Sequence, residues 1–169
     1  MPETVKSQQK VVQKYIERPF FVHSRRKFDF RQWVLVNNWE PLDVCVFQSA
    51  YLKICGNAFD LTQVQDVHRH LSNYSIQKEN GDKDELVMSS SQFEAFMREN
   101  MPEHANFTWE KDMFPKINDV VWRTLKSVQE NFEYKSYAFE VYGFDIVLDE
   151  DLRPWVIEVN LSPACCERA

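Results

Sequence analysis

The stretch Phe139–Pro163, FEVYGFDIVLDEDLRPWVIEVNLSP, constrains this chain more than any other. Val141–Leu148 is apolar and β-branched, Asp149–Pro154 is acidic turn material, and Trp155–Val159 is apolar again, which predicts a hairpin. Side chains alternate along a strand, so Asp145 falls on one face of the first arm, and Glu158 and Asn160 fall on one face of the second. Each carboxylate has neighbours that favour burial: Phe144, Ile146 and Val147 beside Asp145, and Val156, Ile157 and Val159 beside Glu158. A carboxylate placed this way is costly unless a cation meets it. Two carboxylates and an amide oxygen converging from neighbouring strands make a hard-oxygen set that suits Mg²⁺ shared with phosphate. Alternatively, both acids stand at strand ends and pair with Arg or Lys. The strand pattern leaves both readings open.

A chain of 169 residues, 44% of them hydrophobic, is long enough for one domain with a real core. The formal net charge of −6 argues against general affinity for nucleic acid or anionic membrane. No run of ~18 apolar residues is present, so no membrane-spanning helix is expected. Residues 1–10, MPETVKSQQK, read as a polar, mobile lead-in without a signal-peptide core. Cys45, Cys55, Cys165 and Cys166 lack C-x-x-C spacing, and free thiols in a reducing compartment are expected.

Along the chain, Val11–Ile16 reads as a short strand ended by Glu17-Arg18-Pro19, with extended structure resuming at Phe20–Val22. Phe28–Asn37 is a strand with Phe28, Phe30 and Gln32 on one face and Asp29, Arg31 and Trp33 on the other. Asn37–Leu42 is a turn into a strand at Asp43–Gln48, and Ser49–Gln65 reads as a loop or a short helix. His68 and His70 could share one strand face, and Lys78–Glu85 is a polar loop. Ser89-Ser90-Ser91 is an N-cap cluster rather than a nucleophile, ahead of a helix over Gln92–Asn100. Pro115 opens the clearest helix, in which Ile117, Val121, Leu125, Val128 and Phe132 keep helical spacing. Strands with two helices predict an α+β or mixed α/β layer. There is no Gly-rich phosphate loop, since the only glycines are Gly56, Gly81 and Gly143.

Three polar clusters carry possible chemistry. Gln13-Lys14-Tyr15-Ile16 is a strand end, either an ordinary edge or a backbone contact for a ligand. Lys27, Asp29 and Arg31 stand at spacing two and suit ribose hydroxyls and phosphate oxygens, or equally a salt-bridge ladder. Asp145, Glu158 and Asn160 form the third. If the second faces the third, Arg31 and Mg²⁺ would bracket a polyphosphate, as phosphoryl transfer requires. Arg25-Arg26-Lys27 is a basic patch, either a solvated loop or an anion dock.

In order, VVQKYIERPF, RRKFDFRQWVLV, HRHLSNYSIQK and FEVYGFDIVLDEDLRPWVIEVNLSP resemble the tubulin tyrosine ligase-like family, from about Val11 to Pro163. RQWVLVNNWEPLDV and NLSPACCER are most similar to its glycylating branch, the tubulin glycine ligases. The resemblance implies an α+β, ATP-grasp-like mixed sheet with flanking helices, with residues 11–169 the carboxyl-terminal portion of the catalytic core. It implies ATP and Mg²⁺, and a carboxylate activated as an acylphosphate that an amino acid amine then attacks. The implied acceptor is a glutamate side chain in a tubulin tail and the implied donor glycine, with glutamate as the alternative donor. A cytoplasmic, cytoskeletal or axonemal (cilium or flagellum) setting follows from the resemblance as well.

By the same resemblance, Gln13, Lys14, Tyr15 and Ile16 match the adenine-contacting hinge, and Lys27 and Asp29 the nucleotide and ribose contacts. Ser72 and Asn73 match a segment beside the nucleotide, and Asp145, Glu158 and Asn160 match the Mg²⁺ ligands. Arg31, a phosphate contact, and Lys53 are the implied catalytic residues; Lys53 stands where the family usually has arginine and keeps the charge without the fork. The family's amino-terminal portion, with its phosphate-covering loop, has no counterpart here, so the 169 residues alone are expected not to turn over ATP. Against the ligase stands a non-catalytic relic that docks acidic tails through Arg25, Arg26 and Lys27.

Overall fold

The structure, a computed structural model, describes residues 11–78, 86–132, 138–161 and 163. The lead-in at 1–10, most of the polar loop after Lys78, and Cys165 and Cys166 lie outside the described residues. Strand β1 is Phe21–Val22, β2 Arg26–Trp39, β3 Leu42–Val46, β4 Tyr51–Ala58, β5 Val87–Ser89, β6 Glu140–Leu148 and β7 Pro154–Leu161. They form one seven-stranded sheet in the order β5-β4-β2-β6-β7, with β1 and β3 also paired to β2. Each of these pairings is antiparallel. Helices α1 (Val67–His70), α2 (Tyr74–Gln77), α3 (Ser90–Asn100) and α4 (Phe114–Val128) flank it, giving the α+β class that the sequence predicts.

The long strand β2 organises the sheet because most of its even-numbered core positions, Phe28, Phe30, Val34 and Val36, are large and apolar. Phe28, Phe30, Val34 and Val36 are buried, as are Leu52 and Ile54 of β4 and Phe144, Ile146 and Leu148 of β6. Helix α3 lays Phe93 against Phe28 and Phe30, with ring centroids 5.7 and 5.4 Å apart. Helix α4 begins with Pro115 in its first turn and buries Ile117, Val121 and Leu125, one per turn. The Ser89 cluster caps α3: Ser89 Oγ accepts from Gln92 N and Gln92 Oε1 accepts from Ser89 N, a full capping box. The terminal hairpin is as predicted, its turn held by Asp149, which accepts from the backbone of Asp151 and Arg153 and from the Trp155 indole.

Several expectations change. Val11–Ile16 is not a strand: among the described residues no strand pairs with it, and Val11 and Val12 are 85% and 96% exposed. Ser49–Gln65 holds a short 3-10 helix at Leu61–Gln63, but it also carries β4, whose Leu52 and Ile54 fill the core between β2 and β5. His68 and His70 sit on helix α1 rather than a strand face, because Asp66 caps that turn by accepting from His68 N. Helix α4 ends at Val128, and Phe132 lies beyond it, stacked 3.8 Å from Trp39. Glu158 is not enclosed by apolar neighbours. β7 is an edge strand in which Trp155, Ile157 and Val159 are 51%, 38% and 40% exposed.

Candidate active site

The odd-numbered positions of β2 face away from α3 and α4, and chemistry gathers on that face. Lys27, Asp29 and Arg31 project from β2, Lys53 and Cys55 from β4, Asp145 from β6, and Glu158 and Asn160 from β7. Register aligns them: Asp29 is opposite Lys53, Arg31 opposite Asp145, Asp145 opposite Glu158, and Gly143 opposite Asn160. A row of charges thus crosses four adjacent strands.

Asp145 is its centre and is 3% exposed. Arg31 grips it as a fork, Nε to Oδ1 at 2.7 Å and Nη2 to Oδ2 at 3.0 Å, and Lys53 Nζ reaches Oδ1 at 2.9 Å. Burial pushes the Asp145 carboxyl up, but Arg31 and Lys53 outweigh it and hold the group below the ordinary carboxylate range. Burial likewise disfavours the charge on Arg31, and Asp145, with Tyr51 and Glu158, holds that guanidinium above its usual value. Gly143 makes the fork possible: a Cβ there would stand 3.2 Å from Arg31 Cδ and Nη1 and 2.7 Å from Pro163 Cβ.

Asn160 Nδ2 donates to Glu158 Oε1 at 3.0 Å and to Asp145 Oδ2 at 3.4 Å, so one amide hydrogen-bonds with both carboxylates. Asp145, Glu158 and Asn160 are the side chains that would hold a divalent cation. Rotating the amide presents Asn160 Oδ1 instead of Nδ2, and the three side chains then offer only hard oxygens. Among the described residues no group of three His, Cys, Asp or Glu side chains gathers as a metal cage, so the amide would have to complete the set.

Further along the same face lies a second, connected group. Lys27 and Asp29, each 8% exposed, are covered by the segment between α1 and α2. Lys27 Nζ donates to His70 O at 2.8 Å and lies 3.7 Å from Asp29 Oδ1, and Ser72 Oγ donates to Asp29 Oδ2. His70 Nε2 lies 3.2 Å from Gln63 O, which can only accept, so Nδ1 accepts from the Tyr15 hydroxyl at 2.8 Å. Burial, with Cys55 and Asp29 nearby, pushes the Tyr15 phenol up to about 12. The Asp29 Oδ1 oxygen is buried with the Lys27 ammonium 3.7 Å away and accepts no hydrogen bond.

The predicted residues thus divide. Tyr15, Lys27, Asp29 and Ser72 meet in one group, and Arg31, Lys53, Asp145, Glu158 and Asn160 in the other. The ladder of Lys27, Asp29 and Arg31 forms only in part, since Arg31 pairs across the sheet with Asp145 rather than along β2 with Asp29. Gln13 and Lys14 are exposed, and with Tyr15 and Ile16 they border a cavity of 490 Å³ shared with Trp155 and Ile157. Asn73 is exposed and makes no side-chain cap to α2. In the basic patch Lys27 is committed to the site, while Arg25 lies 5.3 Å over the Phe21 ring.

Sequence reasoning reads His70 as a packing or hydrogen-bonding residue but gives it no place in the site, where its backbone and ring both serve the group, and gives none to Cys55, a buried free thiol pushed up to about 12 by burial beside Lys27 and Asp29. The alternation of Leu52 and Ile54 with Lys53 and Cys55 was the available signal for β4 and for Cys55. Nothing local singled out His70.

With this geometry in hand, comparison with known proteins is informative. The family model described as the tubulin-tyrosine ligase family matches residues 1–169. "Tubulin glycylase 3E" of Tetrahymena thermophila is 41% identical over 175 residues, covering 98% of this chain and 12% of the relative. "Tubulin monoglycylase TTLL3" is 38% identical in Danio rerio (90% of this chain, 20% of the relative) and 37% identical in Homo sapiens (96% and 21%). The chain therefore spans about an eighth to a fifth of the length of these curated relatives. A match over the full chain, joined by identities above one third to these relatives, establishes that the chain belongs to the tubulin-tyrosine ligase family.

Proposed function

We propose that this chain carries the nucleotide and metal face of an ATP-dependent ligase that joins glycine to glutamate side chains of tubulin tails. The observation that carries the reading is the charge row across β4, β2, β6 and β7, with Asp145 held by Arg31 and Lys53 and flanked by Glu158 and Asn160. Phosphate chemistry asks for cations fixed in position beside a hard-oxygen metal set, and this row offers both. The names of relatives, tubulin glycylase and tubulin monoglycylase, support tubulin as the acceptor and favour glycine as the donor. Acting on tubulin places the protein at the cytoskeleton, and an axonemal setting accords with it.

In this reading Asp145, Glu158 and Asn160 hold Mg²⁺, which when bound neutralises phosphate charge. Lys27 and Asp29 receive the nucleoside end of ATP, with Asp29 accepting from a ribose hydroxyl and Ser72 fixing Oδ2. Tyr15 and its neighbours border the base, with Asn73 near it. Arg31 and Lys53 belong to the metal group, and Lys53 stands opposite Asp29 of the nucleoside group. They are already charged and oriented by Asp145, so no reorganisation is needed when phosphate charge develops. The acceptor carboxylate, activated as an acylphosphate, would then meet the glycine amine on this face.

Titration calorimetry of the chain with ATP, with and without Mg²⁺, and with a glutamate-rich tubulin-tail peptide tests the reading. Mg²⁺-dependent ATP binding that disappears in Glu158→Ala is expected. Tail binding with no nucleotide binding would contradict it and favour a non-catalytic docking module.

A further inference from the structure

We infer that Gln77 is a positioning residue, whose buried amide fixes the α1–α2 segment onto β4 and thereby sets the nucleoside end of the proposed site; this rests on the nucleotide reading above. Gln77 closes α2, is 1% exposed, and its side-chain hydrogen bonds go to backbone groups outside the charged row. Its Oε1 accepts from Gly56 N at 2.9 Å, and its Nε2 donates to Leu71 O at 2.6 Å and His68 O at 3.2 Å. One side chain thus ties helix α1, the turn after it and strand β4 together.

Each partner needs this tie. Between the pairs Arg26↔Ala58 and Phe28↔Ile54, β4 bulges away from β2, and Gly56 lies inside the bulge. Helices α1 and α2 are four residues each, too short to hold their place by their own hydrogen bonds. Yet the residues between and beside them place His70 O on Lys27 and Ser72 Oγ on Asp29. A primary amide is the side-chain end that offers an acceptor and two donors at once. A carboxylate at position 77 would confront two carbonyl oxygens, and a thioether would leave a buried N–H and two C=O groups without partners.

The inference predicts a split. Loss of the amide should release Ser72 and His70 O from Asp29 and Lys27 while leaving the Arg31–Asp145 pair alone. The test compares Mg²⁺–ATP with Mg²⁺–tripolyphosphate, which lacks the nucleoside, on the whole 169-residue chain. In Gln77→Met, ATP affinity is expected to fall about tenfold or more and tripolyphosphate affinity by less than about twofold, a split that general loss of structure does not produce. In a Ser72→Ala background, the same substitution should weaken ATP binding less, because the Ser72–Asp29 contact through which Gln77 partly acts is already gone. Should Gln77→Met fail to fold, Gln77→Asn, with its amide one methylene short, is measured the same way. Unchanged ATP affinity in the folded variant, or an equal loss for both ligands, would overturn the inference. Wild-type chain that binds tripolyphosphate but prefers ATP no further overturns it too, whereas wild-type chain that binds neither ligand takes down the nucleotide reading itself.

Discussion

Arg31 and Asp145 stand directly opposite each other on β2 and β6 and are joined by both arms of a guanidinium–carboxylate fork, 2.7 and 3.0 Å long, with Lys53 sharing Oδ1. One buried anion therefore balances two cations. Asp145→Ala leaves both cations without their partner, and a stability loss of about 3–5 kcal/mol is expected. Arg31→Met leaves Asp145 with Lys53, and the loss should be smaller, about 1–3 kcal/mol. Urea denaturation of the two variants checks the order; the reverse order would contradict this account of the pair.

The same pair sets an acid response. The folded Asp145 carboxyl lies below its unfolded value, near 3.9 for a free Asp, so its stabilisation is fully present above about pH 4 and is lost as pH falls through the folded value. Asp60, Asp66 and Asp149 have lowered values of the same sign, so the wild type alone does not isolate it. The difference in urea midpoint between the wild type and Asp145→Asn should shrink as pH drops below about 4. A difference that stays constant with pH would show that Asp145 is not ionised in the fold.

Gly143 should be intolerant of a methyl group although its backbone is ordinary strand. Gly143→Ala puts a Cβ 2.7 Å from Pro163 Cβ and 3.2 Å from Arg31 Nη1. Overpacking of this kind costs about 1–3 kcal/mol, and here it should also loosen the Arg31 fork and weaken Mg²⁺–ATP binding. Thermal melting and calorimetry on one sample report both effects.

Ser89 supplies the contrasting case. Ser89→Ala removes half of the capping box on α3 and should cost about 1 kcal/mol without changing ATP affinity, because α3 packs on the face opposite the charge row. A loss of ATP affinity beyond that expected from unfolding would indicate coupling through the sheet.

The terminal hairpin, the α3 cap and the stripe of α4 were legible because each is written in local pattern: alternation, a Ser cluster, and apolar residues one turn apart. So were the two faces of β2. Strand β4 was not, since the alternation of Leu52 and Ile54 with Lys53 and Cys55 is brief and gives way to Gly56-Asn57-Ala58; pairing between β2 and β5 makes it a strand. Val11–Ile16 shows the converse, β-branched residues that form no strand because no edge takes them. Within the site, Asp145, Glu158 and Asn160 could be chosen from the hairpin alone. That Arg31 pairs with Asp145 rather than Asp29 depends on a register between segments more than a hundred residues apart, which no local pattern encodes.

The central claim is that Asp145, Glu158 and Asn160 form one metal-binding set beside Arg31 and Lys53. Electron paramagnetic resonance of Mn²⁺, used in place of Mg²⁺, tests it most directly, in a titration of the wild type, Glu158→Gln and Asn160→Ala with ATP present. Glu158 is exposed, so its variant should remain folded. The account predicts a bound Mn²⁺ signal in the wild type that is weakened at least about tenfold in both variants, the scale expected when a ligand is removed. Equal Mn²⁺ binding in all three proteins would contradict it.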